Sequence, residues 1–448
     1  MNEFEVAISM DDAQKQLMPD DIPPVKLRHI AQTFLGIGLA SFSLAALGEA
    51  KNWMTKKRKW FTDDEYMQGL GLAQLLPGAP TVNLTSYLGF RLRGLPGAAA
   101  ATFFFLIPCF LLMLLLSHCY LRYGAMPVVS GLFRGLGALV VGLVFNTILN
   151  LWRSGVRTIF NRVTAIAGFA MVFWFKMGIM NILLITGGAG LIMVLLTRRF
   201  TGLSRLTETW TSPTKSRTTS AGPARANGKQ THGSVEPDYV SSCSRVDLPL
   251  HWRKMTLLIF WLALILAVDL ALIHMRPELM QMGGSFLRIG ALTFGSGYAM
   301  LPFIQDSVVT QFGWLTNREF AAALALSLIT PGPVTIIGAF IGYKVAGLAG
   351  AAAGMVNMYF PAWAMTTLVA GPYAKAGRAV HVKQVISGIV AAFIGTLVVV
   401  LLRLSADTLV DLPTIAMAGG AFMVQRFVKI DTVWIVFGGA LISMAIFH

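Results

Sequence analysis

Apolar runs of membrane-crossing length recur along the whole chain, near residues 29–48, 95–117, 127–151, 178–197, 255–274, 284–302, 347–371, 380–402 and 431–447, with shorter ones at 163–175 and 413–427. Hydrocarbon offers no water to backbone N–H and C=O groups, so such runs close their hydrogen bonds internally, as helices. Charged residues are 13% of the chain and hydrophobic residues 55%, where a soluble protein carries ~25% charged. The sequence therefore predicts an all-α polytopic membrane protein.

The formal net charge of +15 would suggest nucleic acid in a soluble protein, but loops of membrane proteins collect Lys and Arg, and no basic stripe here is interleaved with aromatics. No nucleic-acid partner is expected; the bilayer is the partner. Cys109, Cys119 and Cys243 form no CxxC and no even disulfide framework. The first 26 residues carry Asp11, Asp12, Asp20 and Asp21 and lack a basic segment followed by an apolar one, so the first membrane helix is expected to target the chain. There is no GxxxxGK[ST] and no HExxH, and the seven histidines are scattered. No cofactor, no metal and no enzymatic or ATP-driven machinery is expected, and an ion gradient must drive uphill movement.

Residues 198–254 are rich in Ser, Thr, Gly, Pro and basic residues, a flexible linker composition that divides two halves. The halves repeat each other. Phe34, Ile37, Gly38 and Phe42 match Phe286, Ile289, Gly290 and Phe294 at an offset of 252. Trp60, Thr62, Glu65, Pro77 and Gly78 match Trp314, Thr316, Glu319, Pro331 and Gly332 at 254, and Pro80, Gly89, Gly94, Gly97 and Pro108 match Pro333, Gly342, Gly347, Gly350 and Pro361 at 253. The expected organisation is a polar segment 1–28, a first half 29–197, the linker 198–254, a membrane helix 255–274, and a second half 284–448.

Each half carries an apolar segment interrupted by Pro and Gly, at 62–93 and 316–346. Thr62-Asp63-Asp64-Glu65 and Thr316-Asn317-Arg318-Glu319 have the form of a capping box, which starts a helix and accounts for both glutamates. About 14 residues on, or ~21 Å at 1.5 Å per residue, the helix meets Leu76-Pro77-Gly78-Ala79-Pro80 or Thr330-Pro331-Gly332-Pro333. A new helix can begin at Pro80 or Pro333. The amides of Thr81, Val82 and Asn83, and of Val334, Thr335 and Ile336, then lack intrahelical acceptors, and an anion would satisfy them with the help of the helix dipole. Hydroxyls of Thr81, Thr85, Thr330 and Thr335 can add donors, and polar Gln74 and Asn83 lie beside the first break. A single Pro-Gly kink reads as a hinge, whereas interruptions at matching positions of two halves point to a transporter's binding site.

Dipoles alone leave a desolvated anion under-compensated, so a cation is expected nearby. Arg134, inside 127–151, is the leading candidate, with snorkelling or pairing as the alternative. Arg91 and Lys344 align across the repeat at the far ends of the second half-helices, as gate or capping charges; Arg288 lies in the first helix of the second half. Asp269 is alone in the run 255–274. Gly131 with Gly135, Gly338 with Gly342, and Gly350 with Gly354 fit close helix packing.

Leu75-Leu76-Pro77-Gly78-Ala79-Pro80 in one half, with FLRIGALTFGSGYAMLP (286–302), GWLTNREF (313–320) and TPGPVTIIGAFIGY (330–343) in the other, resemble the long, two-half form of the chromate transporter family. The chain departs from the family pattern at Ser41-Phe42-Ser43, where a Phe-Gly-Gly-Pro sequence is usual, and at Gly295-Ser296-Gly297. The resemblance implies an inner-membrane, multi-pass carrier that exports chromate, a sulfate-like dianion, at the expense of the proton-motive force, with inverted halves joined by a linker helix. A homodimer is compatible with it. Counting each interrupted helix as one crossing inverts the second half but strands Lys51, Lys56, Lys57, Arg58 and Lys59 on the less basic side. If the interrupted segments instead re-enter and return, the halves come out parallel with a comparable charge split, so inversion is taken from the resemblance. An anion channel and a non-transporting scaffold are the rival classes.

Overall fold

A computed structural model describes residues 25–41, 45–124, 126–199, 277–376, 380–428 and 430–447. The expected linker from residue 200 on, the 255–274 run with Asp269, and Cys243 lie outside these residues. Every element described is helical. The first half contains α1 (Leu27–Ala40), α2 (Ala45–Lys51, continued by a π turn Asn52–Lys57), α3 (Asp63–Leu75), α4 (Pro80–Tyr123), α5 (Pro127–Gly155), α6 (Ile159–Phe173) and α7 (Ile179–Arg199). The second repeats the order: α8 (Pro277–Leu292), α9 (Leu301–Gln305, between a 3-10 turn Gly297–Met300 and a π turn Asp306–Gln311), α10 (Asn317–Ile329), α11 (Ile337–Ala376), α12 (Val380–Thr408), α13 (Leu412–Met423) and α14 (Thr432–Ile446).

Both capping boxes are formed: the Thr62 and Thr316 hydroxyls accept from the Glu65 and Glu319 amides, and each glutamate accepts from its threonine's backbone N–H. α3 and the start of α4 then run antiparallel. Asn83 Nδ2 donates to the carbonyls of Ala73, Leu76 and Pro77 at 3.0–3.3 Å, and Arg91 lies 3.9 Å from Glu65 at the hairpin's mouth. α4 turns back again at Arg93 (φ −155°, ψ 26°) and Gly94 (φ 64°, ψ −150°). The hydroxyls of Ser86 and Thr102 meet at 2.8 Å, although residues sixteen apart in one straight helix would be ~24 Å apart. α11 repeats this turn at Ala346 and Gly347, with Thr335 Oγ1 donating to Tyr359 Oη at 3.0 Å. Gly342 and Gly350 face each other so closely that a Cβ on either would lie 2.0 Å from the other's carbonyl oxygen.

The first helix of each half also stops short, which corrects the expected spans 29–48 and 284–302. α2 returns alongside α1, with the Trp53 ring against Gly36 and Lys51 3.1 Å from Asp63. In the second half Gln305 Nε2 donates to Asn317 Oδ1 at 2.8 Å, which sets the end of α9 beside the start of α10. Polar Ser41 in one run, and Thr293, Gly295 and Ser296 in the other, mark where the helix stops. Each half therefore has two re-entrant hairpins followed by four crossings: the long arm of α4 or α11 and the three helices after it.

The halves are inverted. The α4 turn at Gly94 lies on the face from which α1 and α3 enter, here called the first face. The far end of the long α4 arm carries His118, whose Nδ1 is 2.9 Å from Tyr343 Oη, next to the α11 turn. The second half therefore enters from the opposite, second face. Helices are exchanged across the halves: α5 packs on α13 and α14, and α12 on α6 and α7. Small residues permit this, Gly142 against the Ala418 carbonyl and Gly395 against that of Ala165. Four crossings return α7 to the first face at Arg199, whereas α8 starts from the second. Re-entry also resolves the basic cluster: Lys51, Lys56, Lys57 and Arg58 lie on the first face together with Arg91, Arg93, Arg153, Arg157 and Arg426. Among the described residues the second face holds the sparser Arg122, Arg134, Lys176, Arg318, Lys344 and Arg403.

In a variant lacking Cys119 and Cys243, Lys57→Cys and Arg157→Cys will react with an impermeant thiol reagent from one face and Lys176→Cys from the other; labelling of Lys57→Cys from the Lys176 side would contradict the hairpin topology. Gly342→Val will cost about 1–3 kcal/mol by overpacking, read as a lower melting temperature in detergent.

Candidate functional site

The four helix stops meet. The Gly78 amide donates to the Thr293 carbonyl at 2.8 Å and the Gly332 amide to the Ser41 carbonyl at 2.5 Å. These are the same bond made twice, with the halves exchanged. Both glycines have positive φ, +100° at Gly78 and +120° at Gly332, a region that L side chains occupy at a cost. Each is also pressed on the other half's long arm: a Cβ on Gly78 would lie 2.5 Å from that of Ala362, and one on Gly332 3.1 Å from Cys109. Backbone conformation and packing thus both call for glycine.

Pro80 opens α4 at its first helical position, while Pro333 precedes a 3-10 turn Val334–Ile336 that leads into α11. The expected orphan amides are fewer than the sequence suggests. The Ala79 carbonyl accepts from Val82 and Asn83 at 2.9 and 3.0 Å, and the Pro333 carbonyl from Ile336 at 3.0 Å. Among the described residues, the amides of Thr81, Val334 and Thr335 keep no acceptor. Several expected hydroxyl donors are already engaged: Thr85 with the Thr81 carbonyl, Thr330 with that of Leu326, and Thr335 with Tyr359. Asn83 is fully buried, its amide stitched to the carbonyls at the end of α3 and its Oδ1 accepting from Thr366 Oγ1 at 3.3 Å. Pro77, Pro331 and the two glycines shape the breaks.

Sequence reasoning missed three contributors. Ser41 is fully buried with a hydroxyl that has no partner among the described residues, Trp363 Nε1 beside Ala362 is likewise buried and unpartnered, and the Thr293 carbonyl closes the first break. The polar residues at matching places in the runs 29–48 and 284–302 were the available signal.

The charged candidates do not converge on the breaks. Arg134 lies on the second face, bonded to Asp411 at the start of α13 and 5.2 Å from the Phe447 ring centroid. The structure does not bring it to the breaks as expected, because its acidic partner Asp411 stands at the start of α13. Lys344 pairs with Glu319 at 2.5 Å, as Arg91 does with Glu65, tying the two arms of each hairpin at its mouth. Arg288 is exposed on α8 and has no partner among the described residues. It precedes Thr293 by five residues, ~7.5 Å of helix rise. Gln74 is exposed on α3, one turn before Gly78.

Comparison with known proteins agrees with this two-half architecture. The chromate transporter family profile matches residues 28–193 and 280–444, one match in each half. The chain is 29% identical over 425 residues to a chromate transport protein of Cupriavidus metallidurans, covering 94% of each chain. It is 28% identical over 404 residues to a probable chromate transport protein of Synechococcus elongatus, covering 88% of each, and 24% identical over 459 residues to a chromate transport protein of Pseudomonas aeruginosa, covering 97% of this chain and 95% of that one. No solved structure gives a significant match. With both halves matched, in a helical membrane protein whose repeated breaks meet, the chain belongs to the chromate transporter family.

Proposed function

We propose that this protein is a secondary carrier that exports chromate, or a similar tetrahedral oxyanion, across the inner membrane. The observation that carries the reading is the reciprocal pair of bonds, Gly78 to Thr293 and Gly332 to Ser41, which brings the helix stops of both halves to one place. Free amides at Thr81, Val334 and Thr335 and the Ser41 hydroxyl supply donors there, and the half-helix N-termini add roughly +0.5 elementary charge each. Arg288 takes the compensating role first assigned to Arg134, since Arg134 already has Asp411. The basic first face is cytoplasmic by the positive-inside rule. Protons are the proposed coupling ion, and one half rocks against the other to alternate access.

Everted vesicles containing the protein should accumulate labelled chromate when a proton gradient is imposed and lose that accumulation when a protonophore collapses it, with excess sulfate competing. Flux that only follows the chromate gradient would make the protein a channel. Arg288→Gln should raise KM for chromate about tenfold, the equivalent of ~1.4 kcal/mol for one charge-assisted contact. Arg134→Gln should leave KM unchanged; the reverse outcome would restore Arg134 to the site.

A further inference from the structure

The hairpins α3–α4 and α10–α11 correspond at an offset of 254 before the break and 253 after it, but their surroundings differ. α10 is enclosed. Ala322 and Leu328 are 1% exposed and Ala325 0%, and Ala321 lies against Gly137 of α5. Its start is latched to α12, with Asn317 Nδ2 donating to Asp407 Oδ2 at 2.6 Å and Arg318 Nε to the Asp407 carbonyl at 3.2 Å.

At the same repeat positions α3 carries Gln68, Gly71 and Gln74 in place of Ala322, Ala325 and Leu328. Both glutamines are exposed, and a Cβ on Gly71 would meet nothing within 4 Å. Among the described residues no hydrogen bond or ion pair joins α3 to α5 or α12. Ser154, the counterpart of Asp407 at the offset of 253 that also relates Gly142 to Gly395, instead donates to the Leu151 carbonyl. The breaks follow suit: Pro80 and Thr81 are partly exposed, whereas Pro333 and Val334 are buried.

Gln74 lies ~18 Å along α3 from Thr62 at 1.5 Å per residue. A carboxamide facing hydrocarbon at that depth would leave its donors and acceptor unmet, at a cost of several kcal/mol. Neither glutamine has a partner among the described residues, a demand that water would meet without that cost. Side-chain type tracks the difference: polar residues and glycine where the hairpin stands clear, Ala and Leu where the same face is sealed.

We propose that the Gln68–Gly71–Gln74 face of α3 lines a water-filled route by which the oxyanion reaches the crossed breaks from the first face, and that the structure holds this route open while its counterpart along α10 is shut. The assignment of the anion rests on the carrier reading above; the presence of the water does not.

Cysteines introduced one at a time at Gln68, Gln74, Ala322 and Ala325, in a variant that keeps only the buried Cys109 and serves as the background, test this in open membrane fragments, where an anionic methanethiosulfonate reaches both faces. Gln68→Cys and Gln74→Cys should react at least about tenfold faster than Ala322→Cys and Ala325→Cys, because thiolate formation needs water, and all should react in SDS. If Gln74→Cys is as slow as the α10 positions, the face is covered by lipid, by a second copy or by another segment of the chain, and the proposal fails. Fast labelling in protein that does not move chromate would overturn the carrier reading and leave the water route standing.

Discussion

A helix that stops inside a membrane strands backbone groups where no water waits, and the fold is organised around meeting that demand. Each break is closed from the other half: Gly78 has no acceptor within its own hairpin and takes the Thr293 carbonyl, and Gly332 takes that of Ser41. An unmet buried donor costs several kcal/mol in hydrocarbon. Neither half can place its interrupted helices in the bilayer without the other. Exchange of helices across the halves, α5 onto α13 and α12 onto α6, follows the same logic on a larger scale.

Local signals in the sequence were read correctly where their causes are local. The capping boxes at Thr62 and Thr316, the stops at Pro77-Gly78 and Pro331-Gly332, and the close packing at Gly342 and Gly350 depend on residues within a few positions or on a missing side chain. Chain direction was harder. Hydropathy measures how apolar a run is, not whether it continues straight, so 29–48 and 284–302 read as spans although Ser41 and Thr293 end their helices at mid-depth. The reversals at Gly94 and Gly347 fall where the apolar runs divide, beside Arg91 and Arg93 in one half and Lys344 in the other, but nothing local shows that the chain turns back there. Arg134 illustrates a third kind of failure: its partner Asp411 is 277 residues away, and no local pattern reveals it.

Glu65 and Glu319 each do two jobs. The carboxylate caps the entering helix and also pairs with Arg91 or Lys344 on the returning arm. Each hairpin is therefore fastened at both ends, by this pair at the mouth and by the turn at the tip, where Asn83 adds its bonds to the carbonyls ending α3. Both α3 and α10 are intact thirteen-residue helices, although their surroundings differ.

The even number of crossings in each half bears on how such a chain arose. A segment with four crossings begins and ends on the same face, so a tandem gene duplication alone would insert the second copy in the same orientation as the first. Opposed copies require either that two separate ancestral chains already inserted in opposite senses before fusion, or that a new crossing was acquired at the junction. Arg199 ends the first half on one face and Pro277 opens the second on the other, an arrangement that simple repetition of a four-crossing segment does not produce.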